Sequence, residues 1–292
     1  MRVNRHKNDH EARIIESCIR VQETSTNVPV FQAQAIEAMR WLLQDTPLLK
    51  MASVQPFEEE NNYGIIYFPE FKDSQYMLST QCVRMQQEWV EQYLMQVEHE
   101  LLRDIGEGLL LEIIKKIMEA DPISTETIRY DRGNTFDHYE NKWNMTFSDA
   151  ASKFVCAEGF GGIGYLLVGQ QIASELYCLR DFNRVPREDH GFCRSITHVG
   201  NFRHWPVLMS TMVPVNKVIM VFGRPNQDFT GPAPMVVALG PFFRRKSEAY
   251  IDTKTGQQHP ETLRVALRHA IATTHLKTVH FNWRPTASIK AL

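Results

Sequence analysis

The chain has 292 residues, enough for one large domain or two of ordinary size with a substantial apolar core. Its 32 Lys and Arg residues nearly balance its 34 Asp and Glu residues, so it lacks the basic excess typical of a dedicated nucleic-acid binder. The balance still allows a protein that encloses nucleic acid.

The first part of the chain reads as a polar lead-in, a helix and a β-rich stretch. Residues 1–16 are polar and charged, without the apolar core of a signal peptide, so we expect a soluble protein that starts in the cytosol. An approximate apolar stripe over residues 31–44 predicts a helix that ends before Pro47. The following runs predict a strand start at 48–54, a polar turn at 56–62 and a β-rich run at 64–68.

The dominant predicted element is one helix over residues 85–120. At ~1.5 Å per residue it would span roughly 50 Å. Gly106 and Gly108 predict a bend or a close contact near its middle, because each costs about 1 kcal/mol relative to alanine. Apolar residues at spacings of three and four define one buried face: Val90, Leu94, Val97, Leu101, Ile105, Leu109, Ile113 and Ile117.

Beyond the long helix the pattern becomes β-like. Residues 123–141 are polar and turn-rich, residues 142–155 and 170–179 predict helices, and residues 261–273 are ambiguous between strand and helix. Short apolar runs predict strands at 165–168, 206–212, 217–222, 235–239 and 248–251. Long helices first and mixed strands later predict an α+β fold rather than a doubly wound sheet.

The segment GFGGIG at residues 159–164 matches the G-x-G-x-x-G fingerprint of a dinucleotide-binding turn. That fingerprint requires its last glycine in the first turn of a helix, where the pyrophosphate binds. Here Gly164 precedes Tyr165–Val168, which predicts a strand, and a helix begins only at Gln170. We therefore interpret the glycines as a flexible connection into a strand and predict no cofactor-binding residue.

The sequence also predicts no metal-binding and no catalytic residue. The histidine groups His6 and His10, His198 and His204, and His269, His275 and His280 lack the compact spacing of a zinc site. The five cysteines are odd in number and without a C-x-x-C, which is typical of reduced intracellular thiols: Cys18, Cys82, Cys156, Cys178 and Cys193.

Two polar motifs remain open. DTKTG at residues 252–256 predicts a hairpin turn with glycine at its end. Arg244-Arg245-Lys246 is the only dense basic run, either a solvated turn or a contact with phosphate or an acidic partner. No window approaches the roughly 18 to 20 apolar residues of a membrane span, so we expect no membrane partner.

Several segments in a fixed order resemble the major capsid proteins of tailed bacteriophages, with the fold named after phage Hong Kong ninety-seven, and most of all the contractile-tailed branch. They cover roughly residues 48–275. In chain order they are Val54-Gln55-Pro56 with Gly64–Tyr67, VEHELLRDIGEGLLLEIIKKIM at 97–118, GFGGIGYLLVGQQIASEL from 159, GNFRHWPVLMSTMVPVNKVIMVFG at 200–223, and the stretch from Gly231 to Ile271. The chain departs from the family in Gly240-Pro241-Phe242, where tyrosines are common, and in a short loop between about Phe68 and Cys82.

The resemblance implies an α+β capsid fold. Its parts would be an N-terminal arm and helix (1–50), an E-loop region (51–82), a peripheral domain with the spine helix (83–149), an axial domain (150–234) and C-terminal peripheral strands (235–292). It implies a non-enzymatic subunit that assembles in the host cytoplasm into the hexamers and pentamers of an icosahedral virion and encloses double-stranded DNA without sequence specificity. Scaffolding, portal and decoration proteins are the further partners it implies.

Three alternatives stay open. A nucleotide-dependent enzyme would use GFGGIG. Within the same fold, the chain could be a capsid vertex protein that forms only pentamers, or a non-viral encapsulating shell.

Overall fold

The computed structural model describes residues 21–23, 48, 52–56, 70–77, 87–130, 142–150, 152, 163–185, 196–222, 235–247, 250–259, 262–273 and 276–285. The helices are α1 (Gln87–Glu119), α2 (142–150) and α3 (Gln170–Leu176). The strands are β1 (Val21–Glu23), β2 (Ala52–Pro56), β3 (Glu70–Met77), β4 (Ser124–Tyr130), β5 (Ile163–Val168), β6 (Phe182–Arg184), β7 (Ile196–Phe202), β8 (Trp205–Ser210), β9 (Lys217–Phe222), β10 (Met235–Ser247), β11 (Tyr250–Ile251), β12 (Gln258–His259), β13 (Thr262–Ala272) and β14 (Lys277–Pro285). The predicted α+β class, with one long helix ahead of most strands, is confirmed.

Helix α1 matches the predicted long helix to within two residues at each end. The described members of its predicted buried face are all buried: Val97, Leu101, Ile105, Leu109, Ile113 and Ile117. A second row, Leu102, Leu110 and Ile114, is buried as well. A helix that is apolar on more than one face is enclosed by other chain rather than lying on a surface.

The chain divides into two compact units. The first comprises Met1–Asp45, Val54–Leu110 and Val236–Ala272, and the second comprises Thr46–Ser53, Leu111–Met235 and Thr273–Leu292. Helix α1 thus contributes residues to both units.

The sheet of the first unit has the strand order β1-β10-β13-β3, and β2 also pairs with β10. Strands β10 and β13 form a long antiparallel ribbon with one register shift between Leu239 and Phe242. The strand predicted at 235–239 therefore continues to Ser247, because the bulge accommodates Gly240 and Pro241 within it. The ambiguous segment 261–273 is a strand.

The short hairpin of β11 and β12 continues this ribbon. Ser247 pairs with Thr262, and Tyr250 pairs with His259, so the offset between the strands is unchanged. The predicted turn in DTKTG is confirmed: Asp252 accepts hydrogen bonds from the Lys254 N–H and the Thr255 hydroxyl, both at 2.8 Å. Gly256 supplies a positive φ of 69°, which glycine adopts without strain.

The second unit contains a seven-stranded sheet in the order β4-β14-β9-β5-β8-β7-β6. Strand β14 lies between β4, which is parallel to it, and β9, which is antiparallel. The predicted turn-rich character of 123–141 is wrong for 124–130, which form β4. Strands β6, β7 and β14 were not predicted.

One face of this sheet and helices α2 and α3 enclose the core of the second unit. Aromatic rings dominate it. Trp143 stacks on Trp283 with ring centroids 3.7 Å apart, and Phe147 makes edge contacts with Phe202 and Phe281. Trp143, Phe147, Phe202 and Phe281 are fully buried. Such rings bury large apolar areas, so this cluster fixes α2 to the sheet.

The remaining predicted segments 31–44, 56–62 and 64–68 lie outside the described residues, apart from Pro56 at the end of β2. The predicted strand start at 48–54 is a strand at 52–56. The helix predicted over 142–155 is described at 142–150 and 152.

Candidate functional site

The GFGGIG segment leads into a strand and not into a helix. Ile163 to Val168 form β5, which pairs with β8 and β9 in the middle of the seven-stranded sheet. Helix α3 begins at Gln170, after Gly164 and the whole strand. The prediction of a strand at 165–168 is confirmed, and residues 159–162 lie outside the described part of the chain.

The first N–H groups of α3 are engaged by the protein itself. The N–H groups of Gln171 and Ile172 donate to the Val215 carbonyl at 3.1 and 3.3 Å, and the Gly169 N–H donates to the Lys217 carbonyl at 3.0 Å. Phosphate binding at a helix N-terminus uses such backbone donors. Two of these donors, the N–H groups of Gln171 and Ile172, are already satisfied by the turn between β8 and β9.

Gly169 has a packing role. A Cβ atom at this position would collide with the backbone carbonyl of Pro214. Its φ of −77° is open to any residue, so the requirement for glycine comes from the close approach of two backbones. The turn between β8 and β9 therefore packs directly against the start of α3. This contact holds the backbone of its exposed residues Met212 and Val215 in place.

The histidines considered as ligands fall on separate elements. His198 is on β7 with its Nε2 3.4 Å from the Asn201 amide oxygen, and His204 packs edge-on against Trp205. His269 is buried on β13 and His280 is buried on β14. His6, His10 and His275 lie outside the described residues.

Within the described ranges, no three His, Cys, Asp or Glu side chains are grouped as a metal site requires. In the same ranges no helix is long and apolar enough to cross a membrane.

Two buried polar groups lie on the face of the seven-stranded sheet opposite the aromatic core. Burial, with a smaller contribution from the positive charge of Lys217, lowers the pKa of His280 to about 4, and the Thr278 hydroxyl lies 3.4 Å from its Nε2. Burial also raises the pKa of Tyr165 well above its usual range. Both groups are therefore neutral near pH 7. Neither is near a described cluster that would use it as an acid or a base.

A network of polar side chains at the surface joins three elements of the second unit. Arg203, in the turn between β7 and β8, pairs with Asp181 at 3.5 Å and donates to the Ser148 hydroxyl at 3.1 Å. Asn144 of α2 also donates to the Asp181 carboxylate at 3.3 Å. Arg203 adopts a φ of 55°, which is costly for a residue with a side chain. The contacts of Arg203 with Asp181 and Ser148 offset that cost, because they hold the turn against α2.

The basic run Arg244-Arg245-Lys246 lies within β10, and the register separates its members. Arg245 is opposite Arg264, whereas Arg244 and Lys246 are opposite Val265 and Leu263. Val265 and Leu263 are fully buried and Arg264 is exposed. The register thus places Arg245 in a different set of cross-strand positions from Arg244 and Lys246, a distinction that the sequence alone could not make because it depends on pairing.

No family model matches the chain, and no curated protein matches it. Among solved structures, the chain is similar to shell proteins. It is 10% identical to the virus-like particle from Pyrococcus furiosus, with a TM-score of 0.45 over 87% of this chain and 100% of that one. It is 12% identical to the SrpI encapsulin from Synechococcus elongatus, with a TM-score of 0.47 over 89% and 91%. It is 8% identical to a chain of the satellite phage P4 procapsid, with a TM-score of 0.48 over 98% and 99%. We transfer no residue role from these proteins.

Proposed function

We propose that the protein is a non-enzymatic subunit of a self-assembling shell, the major capsid protein of a tailed bacteriophage. The order of its elements carries the proposal. The segments that resemble the capsid family occur as a long helix (α1), a central strand and short helix (β5 and α3), a strand series (β7 to β9) and a long C-terminal ribbon (β10 and β13). Each segment by itself is common; their succession is what supports the assignment.

The chemistry of the described residues agrees with a structural role. The one nucleotide-binding motif enters a strand, and the N–H groups of Gln171 and Ile172 in the following helix are bonded to the chain itself. Subunits of a closed shell need repeated heterologous contacts, which extended arms and loops supply by burying area that modest domains lack. Residues 1–30 and 57–80 are the candidates from the sequence; since Val21–Glu23 and Glu70–Met77 pair within the sheet of the first unit, we propose residues 1–20 and 57–69 as these arms.

The proposal extends to the particle. Copies form hexamers and pentamers of an icosahedral virion of the contractile-tailed branch, assembled in the host cytoplasm around double-stranded DNA, with scaffolding, portal and decoration proteins as further partners. A near-neutral net charge of −2 suits a wall that contains a polyanion without binding it tightly.

The proposed domain roles follow the family pattern with one adjustment. Residues 51–82 form the E-loop region, α1 is the spine helix, and the C-terminal ribbon completes the peripheral domain. Residues 111–149 and 273–292 group with 150–234 in the second unit. We therefore propose an axial domain of residues 111–235 and 273–292, instead of one that is bounded by residues 150 and 234, and residues 51–53 stay with the E-loop region.

Electron microscopy of the purified protein at high concentration, with and without co-expressed scaffold, tests the proposal. We expect capsomers, closed shells or tubes. Monomers alone under both conditions would overturn it. Local symmetry in the images separates a major capsid protein from a pentamer-only vertex protein.

A non-viral encapsulating shell is the second candidate, favoured by the similarity of the chain to an encapsulin as well as to phage proteins. Mass spectrometry and nucleic-acid analysis of particles from the native source distinguish the two. Packaged genomic DNA supports the viral assignment, and a specific protein cargo supports the other.

If the chain were a nucleotide-dependent enzyme, its cofactor would raise the melting temperature. A cofactor at a hundredfold excess over its dissociation constant stabilises a protein by about 2.7 kcal/mol. We expect a flat melting response to nicotinamide, flavin and adenine nucleotides.

A further inference from the structure

The seven-stranded sheet of the second unit has two different edges. At one edge lies β6, which has three residues. At the other lies β4, which has seven residues and pairs with β14 over its whole length without a register shift. Among the described residues, no strand lies on the far side of β4. A very short strand is one way in which proteins protect a sheet edge from further pairing. The edge at β6 has this protection, and the edge at β4 does not.

Strand β4 also lacks other features that discourage an additional strand. Its sequence, STETIRY, contains no proline, glycine or lysine, and its ladder with β14 has no bulge. Alternate residues of an edge strand direct their N–H and C=O groups away from the sheet, where an added strand can bond to them. Strand β4 therefore offers a row of backbone donors and acceptors that fits an extended polypeptide.

The side chains on one face of β4 are open to solvent. Thr125 and Thr127 are exposed, and Ile123, directly before the strand, is 47% exposed. Residues two apart in a strand share a face, so the two threonines form one row and Ile123 adjoins it. All three side chains are β-branched, a type that packs well against a neighbouring strand. Another chain can therefore reach this edge, and the side chains beside it suit a sheet.

We propose that β4 pairs in antiparallel orientation with β4 of a second copy of this chain, so that the two sheets join across a two-fold axis. In a two-fold contact the same surface is used on both copies. One antiparallel register pairs all seven residues of the strand. It places Thr127 opposite Thr127 of the second copy, and Glu126 opposite Ile128.

The described side chains of β4 favour this register over its neighbours. Threonine opposite threonine is a favourable cross-strand pair. Glu126 is the one charged residue among these side chains, and a register centred on it would place two glutamates opposite each other, which destabilises a sheet. The register centred on Thr127 avoids that repulsion and supplies roughly six to eight backbone hydrogen bonds.

A second copy is a better occupant than a flexible peptide from another protein. Its β4 is already extended and held by β14, so little conformational entropy is lost when the two edges meet. The opposite edge of the same sheet would offer β4 only the three residues of β6. The inference goes beyond the proposed function, because it names a contact between two copies and does not require them to close into a shell.

The test is a charge swap at Thr127 in the full chain. Thr127→Lys and Thr127→Glu each place two like charges opposite each other, so each variant alone should self-associate about tenfold more weakly than wild type. An equimolar mixture of the two variants should regain the association, because lysine then faces glutamate. Sedimentation velocity over a range of concentrations measures the association, in solutions that electron microscopy shows to be free of particles.

Matched controls come from two other exposed threonines. Residue 125 lies opposite position 129, and the two copies of residue 125 are about 13 Å apart along the strands. A mixture of Thr125→Lys and Thr125→Glu should therefore associate no better than the better of the two variants. Thr253→Lys, in the turn between β11 and β12, adds the same charge elsewhere and should associate as wild type does. Circular dichroism checks that every variant is folded.

Three results would overturn the inference: a wild-type chain that is monomeric at every concentration, self-association that neither Thr127 variant weakens, or a weakening that the mixture does not restore. The last would show that β4 meets a different segment. Shells without the charge-swap effect would refute only this inference, and the charge-swap effect without shells would refute only the proposed function.

Discussion

The indole rings of Trp143 and Trp283 stack with their centroids 3.7 Å apart and their planes inclined by 18°. Trp143 lies on α2 and Trp283 near the end of β14, and both are buried. The pair therefore fastens a helix from the middle of the chain to the last described strand.

Replacing Trp283 with alanine removes this stack and leaves a large cavity. We expect a loss of about 3–5 kcal/mol in the free energy of unfolding, measured by urea denaturation. Met145→Ala, on the same helix but 65% exposed, is the control and should change stability by less than about 0.5 kcal/mol. A similar small change in both variants would contradict the packing described here.

Tyr165 offers a test of a buried hydroxyl. Its oxygen has no hydrogen-bond partner in the described part of the chain. A buried hydroxyl without a partner costs free energy, so Tyr165→Phe should keep the stability or raise it by up to about 1 kcal/mol. Tyr165→Ala should lower it by about 3–5 kcal/mol, because the ring is fully buried. A loss in the phenylalanine variant would show that the hydroxyl is bonded after all.

His280 predicts a pH dependence of stability. Burial and Lys217 lower its pKa to about 4 in the folded protein, from 6.5 in an exposed chain. Between these values the unfolded chain binds a proton that the folded protein excludes, so stability falls as the pH falls from 6.5 to about 4. At 1.36 kcal/mol per pKa unit the loss amounts to up to about 3 kcal/mol.

The measurement is urea denaturation at several pH values between 7 and 4, in wild type and in His280→Gln. The variant should lose less stability over this window, since its amide does not titrate. His204→Gln, at an exposed position, is the control and should follow the wild-type curve. Parallel curves for wild type and His280→Gln would refute the assignment.

Gly169 predicts a steric effect. In Gly169→Ala the added methyl group meets the Pro214 carbonyl and displaces the turn that accepts the first N–H groups of α3. Overpacking of this kind costs about 1–3 kcal/mol. Thermal unfolding followed by circular dichroism should show the loss, while Ser174→Ala, exposed on the same helix, leaves the melting temperature nearly unchanged. Equal melting temperatures would mean that the turn yields freely.

The elements that the sequence predicted well are those whose burial follows a local period. Helix α1 carries apolar residues every three or four positions, and strands such as β9 are uninterrupted apolar runs. Strand β4 escaped prediction because it is a polar edge strand: Thr125 and Thr127 are exposed, and Ile128 alone is buried among its described side chains. Strand β7 is interrupted by Gly200 and Asn201, and β14 by His280 and Asn282.

Pairing between segments that are distant along the chain could not be predicted from the sequence. The interpretation of GFGGIG needed only the residues that follow it, and the strand part of that interpretation is confirmed. The separation of Arg245 from Arg244 and Lys246 depends on which residue of β10 lies opposite Arg264. Register of this kind is set by the whole sheet and its bulge, so the basic run was visible while its division between two faces was not.

The position of β14 in its sheet has a consequence for how the protein is made. The strand occupies the place between β4 and β9, yet it is the last of them to leave the ribosome. Chains emerge and fold from the N-terminus. Strand β4 therefore cannot pair with β14 until residue 285 has been translated. A chain that stops short of β14 therefore lacks a central strand of the seven-stranded sheet, so the second unit cannot complete its fold before β14 has been made.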